Sequence, residues 1–151
     1  MIQEALDFLS KHKEVALATC EGNLPKIRLF QIMWQESTTL FFATSPQKAV
    51  YQQLKANPHI ELLAADGQVS VRCAGQISFD VDDARQQWIY NHNAVLSRLY
   101  SSYEKLAYFS LHIAQMDYYN LQPTPPILRH FNLLEGTETS GFVGERFTTN
   151  K

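Results

Sequence analysis

Between Val15 and Phe79 the chain alternates short β-branched or aromatic runs with turn-forming residues, a rhythm that fits antiparallel hairpins. Val15 to Cys20 is followed by Glu21-Gly22-Asn23, and strand character resumes from Lys26 to Trp34. Gln35-Glu36-Ser37-Thr38 joins that run to Thr39–Thr44 at hairpin length. His59–Ala65 and Val69–Phe79 flank Asp66-Gly67-Gln68, where Asp-Gly readily supplies the positive φ angles of a tight turn. Two helices interrupt the strands. Ser45-Pro46 opens one that Asn57-Pro58 closes, with Ala49, Val50 and Leu54 inward. Asp80 to Asp83 offers N-cap carboxylates to a second, in which Ala84, Trp88, Val95 and Leu99 repeat to about Ser102. Ile2, Ala5, Leu6 and Leu9 mark a short amphipathic helix over residues 2–12 that lies on the sheet. Leu111 to Leu121 reads as a sixth strand, ended by Pro123, Pro125 and Pro126. The expected fold is mainly β with helices: a six-stranded antiparallel barrel, closed or half-closed, with flanking helices. Residues 1–122 form its domain, and residues 123–151, with no dominant period, read as a tail wrapping it.

Composition removes several function classes. A chain of 151 residues buries roughly 68–70% of its unfolded surface, so no disulfide framework is needed. Cys20 and Cys73 stand far apart in sequence and form no metal or redox motif, which fits a reducing cytoplasm. A net charge of −2 gives no pull toward nucleic acid. Glu4 and Asp7 interrupt the N-terminal apolar pattern, against a signal peptide. The stretch Ile60–Ala65, broken by Glu61, falls far short of the roughly 20 residues that span a bilayer, so no membrane segment is expected. No two histidines stand three to five residues apart, and neither a nucleophile elbow nor a P-loop is present. Asp80, Asp82 and Asp83 read as a helix start.

Thr44-Ser45-Pro46-Gln47-Lys48 carries the chemical signal. With Ser45 as N-cap and Pro46 as the first helical residue, Lys48 falls at the third helical position, where a capping box takes Glu or Gln. A cation there opposes the helix dipole by about 0.3–1 kcal/mol. An anion reverses that sign, and free N–H groups, two hydroxyls and an ammonium make a phosphate seat. A plain serine cap beside a solvated lysine is the other reading. In Lys26-Ile27-Arg28-Leu29-Phe30, Lys26, Arg28 and Phe30 share one strand face. Arg28 can fork onto the same phosphate if residues 28 and 44 are hairpin neighbours, or it can be a strand-end surface arginine.

Taken in order, Leu17-Ala18-Thr19-Cys20, Gly22, Pro25 to Phe30, Leu40 to Ser45, Lys48, Leu54 to Pro58 and Val71 to Gly75 resemble the pyridoxamine 5′-phosphate oxidase-like flavoproteins with the FMN-binding split-barrel fold. The likeness is dense over residues 2–79, looser to Leu121, and fades in the tail. It implies a homodimer with two FMN molecules in clefts between the subunits. By position, Arg28, Thr44, Ser45 and Lys48 bind the FMN phosphate, the backbone of Leu29, Phe30 and Gln31 faces the flavin ring, and Ser70 reaches the cofactor from the other subunit. The tail would then wrap the barrel or the dimer partner. A flat ring needs two walls and a small barrel offers one, so dimerisation would complete the site. True pyridoxamine phosphate oxidases end in Arg and His separated by one residue. Here Arg129 and His130 are adjacent, which speaks against vitamin B6 oxidation. The expected function is oxidoreduction of a small molecule with NAD(P)H as electron donor. The alternative is a flavin- or haem-binding carrier or sensor without turnover.

Overall fold

A computed structural model describes residues 1–141. Helix α1 (Ile2–Lys11) precedes a hairpin of β1 (Glu14–Glu21) and β2 (Leu24–Gln31), paired from Glu14↔Gln31 to Glu21↔Leu24 and turned by Gly22 at φ 61°. A second hairpin joins β3 (Trp34–Glu36) to β4 (Thr39–Thr44), and α2 (Ala49–Ala56) follows. The Asp66 carboxylate accepts the Gln68 and Val69 N–H groups in the turn between β5 (His59–Ala65) and β6 (Val69–Ser78). Helices α3 (Asp83–His92) and α4 (Ala94–Leu99) lead to β7 (Ala107–His112) and β8 (Gln115–Asn120). A last hairpin, β9 (Ile127–Asn132) and β10 (Thr137–Ser140), closes the described chain.

The strands run β10-β9-β8-β6-β5-β1-β2, with every pair antiparallel, and β4 and β7 curl back from the other half of β6. This is the expected class with ten strands in place of six. Two of the extra strands come from splitting, since Lys26–Trp34 divides into β2 and β3, and Leu111–Leu121 overlaps β7 and β8. The other two, β9 and β10, lie in the segment read as a tail and extend the same sheet beyond β8. Residues 142–151 of that segment lie outside the described residues. The long helix expected from Ala84 to Ser102 is broken at Asn93. Its amide donates to the Ile89 and Met33 carbonyls, while its extended backbone stops α3 and starts α4.

Alternation decides what is inside. Val15, Leu17, Leu62, Val71 and Cys73 point inward with Phe42 and Phe109, whose rings stack at 5.2 Å, and α1 covers them with Ala5, Leu6, Phe8 and Leu9. A second cluster, Phe41, Ala43 and Tyr108 on the other face of β4 and β7, packs under Ile89 and Leu96 of α3 and α4. The opposite face of the main sheet is uncovered in the single chain: Ile27 is 70% and Leu29 74% exposed.

Strand β6 joins the two halves. Residues 70–76 pair with β5, while its other edge pairs with β8 through Val69–Ala74 and with β7 at Ile77 and Ser78. At the changeover, a Cβ on Gly75 would lie 2.7 Å from the His112 carbonyl oxygen and 3.0 Å from Leu111 Cδ1. Gly75→Ala is therefore expected to cost about 1–3 kcal/mol in urea unfolding, by prising the β7–β8 corner off β6.

On the uncovered face, Arg72 donates to Asp117 Oδ2 at 2.8 Å, and His130 Nδ1 lies 2.8 Å from Asp117 Oδ1. Burial pushes the Asp117 carboxyl up, but the hydrogen bonds and charges of His130 and Arg72 outweigh it and leave it below the ordinary range. A depressed carboxylate contributes stability that is complete above its unfolded pKa and disappears as pH falls through its folded value. Asp117→Asn is expected to flatten the acid limb of the stability curve below about pH 4, measured by urea unfolding at stepped pH.

Candidate functional site

The site is assembled around α2. Arg28 points inward from β2, as alternation requires, and is half-buried. Its Nη1 donates to the Leu17 carbonyl at 3.1 Å and to Thr19 Oγ1 at 2.8 Å, and its Nη2 donates to Gln53 Oε1 at 2.7 Å. Thr19 Oγ1 also donates to Gln53 Oε1, at 2.6 Å. These acceptors are neutral, and among the described residues no carboxylate pairs with Arg28 or Lys48. Burial lowers the Arg28 pKa from its ordinary value. Arg28 is thus a partly desolvated cation fixed in place without charge compensation, which favours an incoming anion.

The other half of the site lies at the start of α2. Ser45 does not cap the helix: its hydroxyl accepts the Gln47 N–H at 3.1 Å, and its carbonyl accepts the Lys48 N–H at 3.1 Å. Residues 45–48 therefore form a turn, Lys48 is the N-cap rather than the third helical residue, and α2 begins at Ala49. No side chain caps it. The Tyr51 N–H donates to the Lys48 carbonyl at 3.1 Å, the Ala49 and Val50 N–H groups have no acceptor among the described residues, and Lys48 beside them is exposed. Thr44, at the end of β4, is 4% exposed, and its buried hydroxyl has no hydrogen-bond partner. A buried hydroxyl without a partner costs about 1–3 kcal/mol, which an anion's oxygen relieves.

Arg28 and Thr44 are not hairpin neighbours. Strand β2 pairs with β1, whereas β4 pairs with β3 and β7, because the short β3 intervenes. They are linked instead through α2, Arg28 by its bond to Gln53 and Thr44 by the turn that leads into the helix. Gln53 lies four residues past Ala49, about 6 Å along the axis. Leu29 and Gln31 are exposed on the outer side of β2, while the Phe30 ring packs edge-on against Phe42 and Phe109 at 5.9 and 5.7 Å. At this position only the Phe30 backbone is open to a ligand. One edge of β2 pairs with β1, and it is the last strand of the sheet's order, so its other edge is unpaired among the described residues. Ser70 sits on the outer face of β6, between Ala65 and Tyr119, away from the Arg28 side chain of its own chain.

Thr19 and Gln53, which hold Arg28, went unread in the sequence. Both were accessible: Thr19 continues the inward alternation of Val15 and Leu17, and Gln53 shares the inner helix face with Val50 and Leu54. Burial pushes the Cys73 thiol up to about 12, so it stays protonated and unreactive. Among the described residues no group of three or more His, Cys, Asp or Glu side chains can hold a metal ion. No described helix is long and apolar enough to cross a membrane.

Comparison with known proteins agrees with this geometry. The family model described as Pyridoxamine 5′-phosphate oxidase matches residues 1–123. Among curated proteins none matches the chain. Similar solved structures include a Clostridium acetobutylicum protein related to general stress protein 26, of the pyridoxinephosphate oxidase family. It is 16% identical, with 90% of this chain and 96% of that chain covered and a TM-score of 0.73. A Nostoc punctiforme pyridoxamine 5′-phosphate oxidase-related, FMN binding protein is 19% identical, with 95% of each chain covered and a TM-score of 0.64. PhzG from Burkholderia lata, in complex with tetrahydrophenazine-1-carboxylic acid, is 11% identical, with 93% and 88% covered and a TM-score of 0.70. At such identities the structural likeness speaks for the fold, and the family follows from the sequence model that spans most of the chain: this protein belongs to the pyridoxamine 5′-phosphate oxidase family.

Proposed function

We propose that the chain binds FMN and acts as an oxidoreductase on a small molecule, with NAD(P)H as electron donor, in a cytoplasmic homodimer whose cofactor sites lie between the subunits. The observation that carries this reading is the pairing of an uncapped α2 N-terminus with two uncompensated cations, Arg28 and Lys48, and the unpartnered Thr44 hydroxyl. These groups fit a phosphate monoester. Arg28, held by Thr19 and Gln53, presents a fixed guanidinium. Lys48 adds a mobile point charge, and the Ala49 and Val50 N–H groups and Thr44 donate to the remaining oxygens. Bound there, FMN supplies reversible two-electron chemistry. The unpaired edge of β2 at Leu29, Phe30 and Gln31 offers backbone groups to the ring, and Ser70 of a second copy completes the cleft.

The outer face supports the homodimer. Leu29, Ala16 and Leu63 line up across β2, β1 and β5, and Ile27 pairs with Ala18 in the next row. Leu29 and Ile27 are among the most exposed apolar side chains in the molecule, and such a patch marks an interaction surface. The tail argues for a substrate other than pyridoxamine phosphate. Arg129 and His130 are consecutive on β9 and so point to opposite faces. Arg129 bonds to Ser140, and His130 bonds to Asp117 and Gln115. The two cannot grip one ligand together.

Lys48→Glu is expected to weaken FMN binding about tenfold or more while leaving thermal unfolding of the apoprotein within about 0.5 kcal/mol of wild type. Riboflavin, which lacks the phosphate, should bind both forms alike in a fluorescence titration. Equal losses for the two flavins would place the phosphate elsewhere. A purified protein that is yellow and bleached by NADH or NADPH supports turnover. A colour that neither bleaches leaves a carrier, and a Soret band would indicate haem. Leu29→Asp should convert the dimer to monomer in sedimentation and lower FMN affinity with it, although the Leu29 side chain points to the strand face opposite Arg28.

A further inference from the structure

A recess of about 250 Å³ opens where β2 leads into β3, bounded by Ile32, Met33 and Trp34, by Trp88 of α3, and by Lys13 of the α1–β1 connection. It begins one residue after Gln31, at the end of the strand segment assigned to the flavin ring. Its walls are fixed. The Ile32 N–H donates to the Lys13 carbonyl at 2.8 Å, the Gln35 amide donates to the Leu6 carbonyl at 3.1 Å, and the Asn93 amide donates to the Met33 carbonyl at 3.3 Å. Trp88 lies between Trp34, at 4.7 Å, and His92, at 4.1 Å, so its ring is clamped although 38% exposed.

Ser10 and Gln35 complete the lining, which is apolar and aromatic on the side of Ile32, Met33, Trp34 and Trp88, and Lys13 is its one ionised side chain. Lys13 is exposed and pairs with no carboxylate among the described residues. The nearby Arg85 on α3 is already neutralised by Glu36 at 3.0 Å and Asp82 at 3.3 Å. One free ammonium at the rim of an aromatic slot suits a single negative charge, whereas a dianionic phosphate would call for a fork of donors. The volume falls below the ~300–1,000 Å³ of pockets for drug-sized ligands, which limits the occupant to one or two rings.

We propose that this recess takes the substrate and that the substrate is a small planar aromatic monocarboxylate, its ring against Trp88 and Met33 and its carboxylate on the Lys13 ammonium. The assignment as substrate pocket rests on the flavin reading; the recognition of the acid does not. Trp34 and Trp88 are the chain's two tryptophans, so emission excited selectively in tryptophan, beyond the absorption of the seven tyrosines, reports on this recess. In flavin-free protein, 2-naphthoate is expected to quench that emission to saturation. Lys13→Ala should weaken it about fivefold and leave the neutral 2-naphthamide unchanged. Lys13 contributes only its backbone to the fold, so the variant should unfold like wild type. In FMN-loaded protein, 2-naphthoate should also shift the visible flavin band. Absence of saturable quenching, or equal losses for acid and amide, overturns the recognition. Quenching with an unmoved flavin band overturns the substrate assignment. A protein that quenches with 2-naphthoate but retains no FMN refutes the flavin reading and leaves the acid site standing.

Discussion

Strand β6 hydrogen-bonds on both edges and along one of them changes partner, from β8 to β7, within three residues. The rest of the architecture depends on that changeover. It turns what would be two sheets into one curled surface, with the aromatic core of Phe42, Phe109 and Phe79 inside the curl. It also fixes what lies at the ends of the strand order. With β6 shared, β5 and β1 follow in sequence and β2 becomes a rim, its inward Arg28 brought under α2 and its backbone left open on the other side.

On the proposed FMN reading, the environment of Arg28 is that of an anion site built before its ligand arrives. Three neutral oxygens hold the guanidinium, enough to fix its orientation and too few to neutralise its charge. The same bonds tie β2, β1 and α2 together, so the side chain braces the barrel whether or not an anion is bound. Lys48 is different, an exposed charge that pairs with no carboxylate among the described residues, and in the proposed seat it would serve the anion alone. In the proposed seat, the uncapped helix start and the Thr44 hydroxyl complete a set whose members are individually suboptimal and together would suit a phosphate.

Local chemistry was legible in the sequence and long-range pairing was not. The hairpins at Gly22 and at Asp66-Gly67 follow from turn residues, and the shared face of Lys26, Arg28 and Phe30 from alternation, while which face turns inward is decided by the pairing of β2 with β1. The start of α2 was misplaced because Ser45 caps its own turn at Gln47, a choice between two local hydrogen bonds that composition does not decide. Arg28 and Thr44 were expected across a hairpin because the break at Ile32-Met33 carries no Gly or Pro signal. β9 and β10 were missed since Thr137 to Ser140 is polar on both faces and shows no alternation. The neighbourhood of Trp34 and Trp88 joins residues from opposite halves of the chain, and no pattern along the sequence announces it.

The two rims of the main sheet are unlike. β10, at one end, is a four-residue strand of Thr, Glu, Thr and Ser, exposed throughout, while β2, at the other, is long and carries Leu24, Ile27 and Leu29 outward. Short polar rims discourage strand addition. In the proposed homodimer each copy would contribute its β2 side, and adhesion between like sides is exhausted once two have met. Within that proposal the asymmetry would act as a terminator, permitting a closed pair and denying the head-to-tail propagation through which half-open β structures polymerise into fibres.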